Sequence, residues 1–349
     1  MSVDFIEKPM HVEASASSCA STGVVVIGRN EGQRLKRCLE QAAGHAARTV
    51  YVDSGSTDGS VARARSMHVD VVELTNDRPF SAARARNEGA LRLLQLAPDI
   101  QYVQFVDGDC EIMPGWWNAA PAQLEARPDV AVVCGRRRER YPRASIYNRM
   151  CDLEWNTAIG ETSECGGDAL MRVACFQAVG GFDASLIAGE EPELCLRLRA
   201  KGWKIERLDV DMTLHDAAMQ HFSQWWRREK RTGYAFAEAA HRFGSPPEHF
   251  RVALARRNWF WGLVLPVAAL APAYWTGGSS LILLLAYPLL WARVFRYCRT
   301  GRAFTAADAA VYAMFCTIGK FPQVAGQLKY VFAQMRRRPA SIIEYKSPG

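Results

Sequence analysis

Short apolar runs alternate with amphipathic stretches through residues 24–134. Each run is rich in β-branched or aromatic side chains, which is typical of a buried strand. Leu35, Leu39, Ala42 and Ala43 recur at helical spacing after the first run, and Ser81–Leu94 is a further predicted helix. Alternation of strands with helices predicts an α/β fold, a mostly parallel sheet flanked by helices. The predicted strands are Val24–Ile27, Thr49–Val52, Val69–Leu74, Tyr102–Val106 and Val130–Cys134.

Polar side chains stand at the ends of three of these strands. Arg29–Glu31 follows the first strand, Asp53 the second, and Asp107 and Asp109 the fourth. Because the carboxyl ends of parallel strands meet at one edge of a sheet, ligands bind there. Two carboxylates two residues apart predict a site for Mg²⁺ or Mn²⁺ bridged to phosphates. Asp and Gly are also common in turns, so a plain turn is the alternative.

Two common nucleotide-binding motifs are missing from the sequence. A dinucleotide-binding domain needs Gly-x-Gly-x-x-Gly after its first strand, to bring a pyrophosphate against a helix. Gly28-Arg-Asn-Glu-Gly32 stands there instead, with the wrong spacing and bulky polar residues inside. The chain has no P-loop sequence either. The polar strand ends therefore belong to another class of site.

Taken in order, these motifs resemble those of family 2 glycosyltransferases with the GT-A fold. The resemblance covers residues 22–245. It implies a nucleotide-sugar site that begins with an Arg-Asn-Glu turn, Arg29, Asn30 and Glu31. In this resemblance Asp53, with Ser54 after it, holds a uracil-type base, and Arg86 lies near the diphosphate. Asp107 and Asp109 form the metal-binding DxD motif.

The same resemblance implies an acceptor side further along the chain. Gly167 and Asp168 match the family's donor-sugar loop, where Asp168 accepts hydrogen bonds from sugar hydroxyls, and a plain turn is the alternative. Glu191, with Glu190 before it, stands where the family usually has an aspartate as catalytic base. Acids at a helix N-terminus also complement the helix dipole without any catalytic role. The dipole is expected to lower the pKa of Glu191.

Another resemblance concerns two motifs near the end of the domain. His215 closes Leu208–His215, a predicted edge strand, and the family resemblance makes it a possible third metal ligand. An ordinary hydrogen-bonded histidine is the alternative. Gln224, Arg227 and Arg228 resemble the QxxRW acceptor motif of processive relatives, but Arg228 replaces the final Trp. This departure weakens the prediction of a polymerase.

Two further groups allow a binding or a structural interpretation. Arg136–Arg138 suits either an anionic acceptor or a solvated basic turn. Trp225 and Trp226 suit either a stack on a sugar ring or the packing of a helix. The sequence leaves both choices open.

The composition changes after Pro247. Trp259–Trp275 has no charge, and Leu281–Ala292 is apolar with arginines behind it. This pattern predicts a membrane hairpin over 259–295 with both ends cytosolic, although each arm is short for a full span. Residues 306–332 predict an interfacial helix. A soluble helical subdomain or a dimer interface is the alternative.

The overall composition narrows the function classes. The net charge of +7 is modest and no basic block suggests a nucleic-acid partner. The ten cysteines include no CxxC pair, which favours reduced thiols over a disulfide framework or a zinc site. Residues 1–20 are polar and lack a secretory apolar stretch. The predicted division is a disordered tail over 1–20, a GT-A domain over 21–245 and a helical membrane-associated region over 246–349.

Together these features predict a membrane-associated glycosyltransferase with a cytoplasmic catalytic domain at the cell inner membrane. It would move a sugar from a nucleotide-diphosphate sugar, with UDP favoured, to an acceptor hydroxyl with inversion. The expected partners are a divalent metal and a glycan or lipid-linked acceptor in cell-envelope or exopolysaccharide assembly. Glu191 would take the acceptor proton. Two alternatives stay open: a nucleotidyltransferase that makes a nucleotide-sugar, and a non-catalytic membrane-bound nucleotide-binding partner.

Overall fold

A computed structural model describes residues 21–336 of the chain; the predicted tail over 1–20 and residues 337–349 lie outside the described part. The described residues fold around one sheet of nine strands with helices on its faces. The strands are β1 (Thr22–Gly28), β2 (Arg48–Asp53), β3 (Asp70–Glu73), β4 (Tyr102–Asp107), β5 (Cys110–Ile112), β6 (Val130–Glu139), β7 (Gly160–Glu161), β8 (Ala169–Arg172) and β9 (Lys204–His215).

The sheet is parallel in its first half and mixed in its second. Its order is β3-β2-β1-β4-β8-β6-β9-β5, and β7 pairs with β9. The pairs from β3 to β4 are parallel, as predicted, whereas β8 runs antiparallel to both β4 and β6. Strict strand–helix alternation ends before β8, which enters the sheet from a loop. Without a crossover helix nothing constrains β8 to be parallel to β4.

The prediction of an edge strand over Leu208–His215 is wrong. These residues form the second half of β9, which pairs with β6 on one side. On its other side β5 covers the end of β9 and β7 covers its beginning. Two strands too short to be recognised by alternation therefore cover both ends of β9, including His215.

Helix packing on the sheet relies on small side chains at close approaches. Gly89 faces β1 and β2, and a Cβ atom there would lie 2.4 Å from Val25 Cγ1 and 2.8 Å from Val52 Cγ2. This approach brings the helix that carries Arg86 close to the carboxyl edge of the sheet. The helices around the sheet are α1 (Gln33–Ala43), α2 (Ser60–Ser66), α3 (Ala82–Leu96), α4 (Trp116–Ala126), α5 (Ile146–Glu154), α6 (Val173–Ala178) and α7 (Glu190–Ala200).

The rest of the described chain is helical. A π-helical turn over Phe260–Val264 joins the first two of its shorter helices, and a 3₁₀ segment over Ser279–Leu285 precedes another. The helices are α8 (Phe222–Phe243), α9 (Val252–Trp259), α10 (Leu265–Leu270), α11 (Ala286–Gly301), α12 (Ala306–Ile318) and α13 (Lys320–Met335).

The single interfacial helix predicted over 306–332 is two helices, α12 and α13, which meet at Gly319. A Cβ atom on Gly233 of α8 would lie 1.9 Å from the carbonyl oxygen of Gln323, and one on Gly326 would lie 2.0 Å from that of Lys230. Two glycines thus let α8 and α13 touch backbone to backbone. The second half of the segment is therefore packed on α8, a contact that periodicity within one segment cannot reveal.

Residues 252–301 form a helical hairpin whose tip is apolar and exposed. Tyr274 and Trp275 at the turn are 90% and 81% exposed. Among residues 21–336, one helix, Ser279–Gly301, is long and apolar enough to cross a bilayer, with 23 residues and a mean hydropathy of 1.5. At about 1.5 Å per residue it spans about 34 Å, against about 30 Å of hydrocarbon. The second arm is therefore longer than the sequence pattern predicts.

Candidate active site

The loops after β1 and β2 form one unit at the carboxyl edge of the sheet. Asn30 Oδ1 accepts a hydrogen bond from the Thr57 backbone N–H at 2.7 Å, and the Asn30 N–H donates to Ser56 Oγ at 2.9 Å. The Ser54 N–H donates to the Gly28 carbonyl at 3.1 Å. Asn30 has φ 56°, a left-handed conformation that asparagine tolerates. The predicted nucleotide residues of the two strand ends are thus brought together.

Asp53 shapes this double loop with its own carboxylate. Its Oδ2 accepts the backbone N–H groups of Gly55 at 2.9 Å and Ser56 at 2.7 Å, and its Oδ1 accepts the Tyr51 hydroxyl at 2.7 Å. Burial, with the Asp53 hydrogen bond, raises the pKa of Tyr51 well above its usual value. Asp53 is therefore held rigidly, and its contact with a base remains a prediction.

Arg29 and Glu31 lie on either side of the loop after β1. The Arg29 guanidinium lies 5.8 Å from the centre of the Phe80 ring. Glu31 is buried, and its Oε2 lies 2.8 Å from Arg34 Nη2 at the start of α1. Glu31 thus helps to fix the loop on the helix that follows it.

A buried ion network occupies the centre of the site. Arg86 Nη2 lies 2.9 Å from Asp107 Oδ1, and Arg86 Nη1 lies 2.7 Å from Glu190 Oε1. Arg137 Nη2 lies 3.3 Å from Asp107 Oδ2 and 2.7 Å from Asp168 Oδ2. The two arginines therefore hold Asp107 between the proposed donor loop and the start of α7.

The loop before β8 passes directly over this network. A Cβ atom on Gly167 would lie 3.2 Å from Arg86 Nη2, Arg137 Nη2 and Asp107 Oδ2. Glycine therefore allows the backbone to approach the charged groups more closely than a side chain would permit. Gly167 lies at the position predicted for it, between the two arginines.

Asp168 is fully buried and already has several partners. Its Oδ1 accepts the Asp107 backbone N–H at 3.0 Å, and its Oδ2 accepts the Thr213 hydroxyl at 2.7 Å. Together with Arg137, these contacts join β4, β6, β8 and β9. The structure gives Asp168 a structural role, and its predicted contact with a sugar hydroxyl remains a prediction.

Asp109 and His215 face each other across the β5–β9 pair. Cys110 and His215 are register partners in this pair, so Asp109 Oδ2 lies 3.3 Å from His215 Nε2. His215 Nδ1 lies 3.3 Å from Glu139 Oε2. Burial alone would lower the pKa of His215, but the carboxylates of Asp109 and Glu139 outweigh burial and raise it.

The side-chain donor atoms around Asp109 and His215 are of the types that bind a divalent metal. Donor atoms of Asp109, Cys110 and His215 lie within 4.8 Å of one another. A carboxylate and an imidazole fit Mn²⁺-type ions, and a second carboxylate on the far ring nitrogen orients the imidazole as in many metal sites. The Asp107 carboxylate instead pairs with Arg86 and Arg137. Asp109 and His215 are therefore the residues best placed to hold a metal.

Glu190 and Glu191 begin α7 and face different partners. Glu190 pairs with Arg86, whereas Glu191 Oε1 accepts the Cys165 backbone N–H at 2.5 Å and the Cys195 thiol at 3.2 Å. Burial, reinforced by repulsion from Glu164, raises the pKa of Glu191. The expectation that the helix N-terminus lowers this pKa is wrong, because desolvation outweighs the dipole.

Two cavities meet at Glu191. One of about 450 Å³ lies between the start of α7, the helix α8 and the start of α9, and both Glu190 and Glu191 line it. The other, of about 440 Å³, lies under the loop that carries Gly167 and Asp168, and Glu191 lines it too. Glu191 therefore borders the space available on both sides, as Glu164 does.

Residues 23–178 match the sequence model of the family described as Glycosyl transferase family 2. The match contains both loops of the nucleotide side, Arg86, Asp107, Asp109 and the loop with Gly167. Residues 23–178 thus form a family 2 glycosyltransferase domain. The predicted family and enzyme class are thereby confirmed.

Two curated proteins resemble the chain over more than half of its length. Succinoglycan biosynthesis protein ExoA from Rhizobium meliloti is 26% identical over 205 residues, which cover 54% of this chain and 61% of that protein. Pre-mycofactocin glycosyltransferase from Mycobacterium tuberculosis is 26% identical over 242 residues, which cover 65% of this chain and 49% of that protein. The chain thus spans about half to three fifths of the length of these relatives.

The chain also resembles a solved structure over most of its length. Mannosyltransferase PcManGT from Pyrobaculum calidifontis, solved in complex with GDP-Man and Mn²⁺, aligns with a TM-score of 0.57 and 20% identity. The alignment covers 90% of this chain and 88% of that one. This likeness confirms the predicted fold class, including helices beyond the family match.

The motif at the start of α8 makes mostly structural contacts. Gln224 Oε1 caps the helix by accepting the N–H groups of Gln220 at 2.8 Å and His221 at 3.0 Å. Arg227 Nε donates to the Ser223 carbonyl of its own helix at 3.3 Å. Arg228 alone of the three lines the larger cavity, where its Nη2 lies 2.8 Å from Glu154 Oε2.

The tryptophan pair and the arginine triplet take structural positions. Trp225 is buried, with its ring 4.8 Å from that of Phe315 in α12, so it packs a helix. Arg136–Arg138 lies within β6, so the predicted basic turn is wrong. The strand simply continues beyond its apolar part, which places Arg137 inside and leaves Arg138 more exposed.

Several site residues were not recognised in the sequence. Glu139 and Trp155 surround His215, with the Trp155 ring 4.7 Å from the imidazole and 5.4 Å from Arg137 Cζ. Cys165 and Cys195 contact Glu191. Because these residues have no fixed spacing from their partners, only the alternation along β6 could have indicated that Arg137 and Glu139 point the same way.

Proposed function

We propose that the chain transfers a sugar from a nucleotide-diphosphate sugar to an acceptor hydroxyl in a metal-dependent reaction. The observation that carries this proposal is the bridge of Arg86 between Asp107 and Glu190. One buried side chain thereby ties the DxD motif to the start of α7, where the proposed base lies. The bridge sets donor and acceptor sides at the short separation that group transfer needs.

Asp109 and His215 are the proposed metal ligands, oriented by Glu139. A bound Mg²⁺ or Mn²⁺ would neutralise charge that builds on the leaving diphosphate. Asp107, held by Arg86 and Arg137, stands between these ligands and the base. The loops around Asp53 and Asn30 would hold the nucleoside.

Glu191 is the proposed catalytic base. Its carboxylate borders both cavities, and its raised pKa makes it a stronger proton acceptor than an exposed glutamate. It would take the acceptor hydroxyl proton while the hydroxyl oxygen attacks the anomeric carbon and the nucleoside diphosphate leaves. Attack from the side opposite the leaving group inverts the anomeric centre.

We further propose that the acceptor is a lipid-linked or nascent cell-envelope glycan at the cytoplasmic side of the inner membrane. Phe236, Phe250 and Arg251 line the larger cavity, and Arg251 directly precedes the first helix of the hairpin. A membrane-embedded tip would hold the cavity near the bilayer surface. The relative named for succinoglycan biosynthesis supports a role in exopolysaccharide assembly.

The donor is tested with a panel of UDP-, GDP- and dTDP-sugars incubated with the purified chain and Mn²⁺. We expect a UDP-sugar to bind most tightly and to release UDP when an acceptor is present. Preference for a GDP-sugar would overturn the UDP proposal alone, and release of pyrophosphate would identify a nucleotidyltransferase. Binding without turnover on any supplied acceptor would favour a non-catalytic partner.

The membrane is tested at the hairpin tip. We expect the intact chain to sediment with membranes and to resist high-salt and carbonate extraction. Exchange of both Tyr274 and Trp275 for Ser should shift the chain toward the soluble fraction, because these exposed rings suit the membrane interface. Leu91→Ser, which removes an exposed apolar side chain of α3, is the matched control. Recovery of the unaltered chain in the soluble fraction without detergent would contradict the proposal.

A further inference from the structure

Three side chains with metal-binding atoms meet beside the smaller cavity. Cys165 Sγ lies 3.6 Å from Cys195 Sγ, and Cys195 Sγ lies 3.2 Å from Glu191 Oε1. All three residues are buried, and their donor atoms lie within 4.8 Å of one another. We call Cys165, Glu191 and Cys195 the thiol cluster.

The fold builds this cluster from two segments. Glu191 and Cys195 are four residues apart on α7, so they share one face of the helix. Cys165 comes from the loop before β8, and its backbone N–H is fixed on the Glu191 carboxylate at 2.5 Å. The positions of all three donors are therefore set before any ligand arrives.

The charge of Glu191 has no cationic partner within residues 21–336. Its hydrogen-bond donors are one backbone N–H and one thiol, and the carboxylate of Glu164 acts with burial to raise its pKa. Its neighbour Glu190, in contrast, pairs with Arg86 at 2.7 Å. A buried carboxylate without a cation is costly, and a bound cation would relieve that cost.

The spacing of the sulfur atoms matches a tetrahedral zinc site. Sulfurs at about 2.3 Å from a tetrahedral Zn²⁺ lie about 3.8 Å apart. The Cys165–Cys195 separation of 3.6 Å needs only a small adjustment to reach this value. Two thiolates also favour Zn²⁺ over Mg²⁺, which prefers oxygen.

A path to the cluster exists. Cys165 and Glu191 both line the smaller cavity, and Glu191 also lines the larger one. A cation held by the three side chains would keep its fourth position toward this open space, where water completes the coordination.

We propose that the thiol cluster binds one thiophilic divalent cation, Zn²⁺, through two cysteine sulfurs and the Glu191 carboxylate. Binding forms two Zn–S bonds and one Zn–O bond, and releases the two thiol protons to solvent. Since Glu191 is the base of the proposed function, a bound Zn²⁺ prevents it from accepting the proton of the acceptor. The site is therefore inhibitory, and this consequence rests on the proposed function.

The test uses the full chain purified in detergent and freed of metal with a chelator. Titration with Cd²⁺, a spectroscopic substitute for Zn²⁺, should give an ultraviolet sulfur-to-cadmium band that saturates at one ion per chain. Cys165→Ser and Cys195→Ser should each lose most of this band. Cys175→Ser, which changes a buried thiol of α6 outside the cluster, should retain it.

The other candidate cluster contains a thiol as well, so it needs a control of its own. Cys110→Ser should retain the cadmium band, because Cys110 belongs with Asp109 and His215. X-ray absorption of the unaltered chain with one equivalent of Zn²⁺ should show two sulfur neighbours. This measurement does not depend on how well any variant folds.

Three results would overturn the proposal: no cadmium band, a band lost in Cys110→Ser but kept in Cys165→Ser, or a zinc shell with one sulfur and an imidazole. These readouts need no sugar transfer. Lack of transferase activity would thus remove the proposed function and leave the zinc site intact. In an active preparation with Mn²⁺, added Zn²⁺ should lower the rate, and Cys195→Ser should lose this sensitivity.

Discussion

We expect Asp109→Ala to remove the metal-dependent part of nucleotide binding and to abolish sugar transfer. Asp109 is buried, and its Oδ2 lies 3.3 Å from His215 Nε2, the other proposed ligand. Alanine removes the carboxylate on the Nε2 side of the imidazole, so a divalent ion loses its anionic ligand there. Calorimetry with the nucleoside diphosphate of the preferred donor, with and without Mn²⁺, measures the difference directly.

Glu111→Gln is the matched control for this variant. Glu111 lies in β5 two residues after Asp109, and its carboxylate pairs with Arg37 and Arg140 outside the metal cluster. It should therefore keep metal-dependent binding. Full metal-dependent affinity in Asp109→Ala would show that the metal is held elsewhere, and Asp107 would become the next carboxylate to test.

Local patterns were sufficient to predict which polar strand ends meet at the carboxyl edge of the sheet. The strands that end at Gly28, Asp53 and Asp107 are short apolar runs, and parallel pairing places their ends along one edge. The polar residues after each run are therefore neighbours whatever the details of the loops. The family match over residues 23–178 covers the same part of the chain.

Contacts between distant segments could not be predicted in the same way. Asp109 meets His215 only because the three-residue strand β5 pairs with the end of β9, and such a short strand has no clear period. Cys165 and Cys195 likewise meet only because the loop before β8 contacts α7. The absence of a CxxC pair argued against a zinc site, yet sequence spacing says nothing about ligands that folding brings together.

The direction in which the pKa of Glu191 shifts illustrates a second limit of prediction from sequence. Position at the start of α7 suggested a lowered pKa, because a helix N-terminus stabilises negative charge. The structure buries the carboxylate and sets Glu164 near it, and both effects favour the protonated form. Burial is a property of the whole fold, and it decides the sign here.

The largest loss of turnover without loss of binding is expected from Glu191→Gln. General-base catalysis contributes about 10²–10⁴-fold, and Gln keeps the shape of Glu while losing the ability to take a proton. Its amide oxygen can still accept the Cys165 N–H, so the loop before β8 should stay in place. We expect the turnover number to fall by that factor, while donor and metal affinity change little.

Two further variants separate the roles of the adjacent glutamates. Glu190→Gln weakens the pairing with Arg86, which also holds Asp107, so it should affect donor affinity more and turnover less than Glu191→Gln. Glu191→Asp restores the residue usual in the family but withdraws the carboxylate by one methylene from Cys195 and the cavities. Lost activity in Glu191→Asp would mean that this site is built for glutamate. If Glu191→Gln keeps near-full transfer while Glu190→Gln loses it, Glu190 is the base and the thiol cluster lies beside the reaction centre without controlling it.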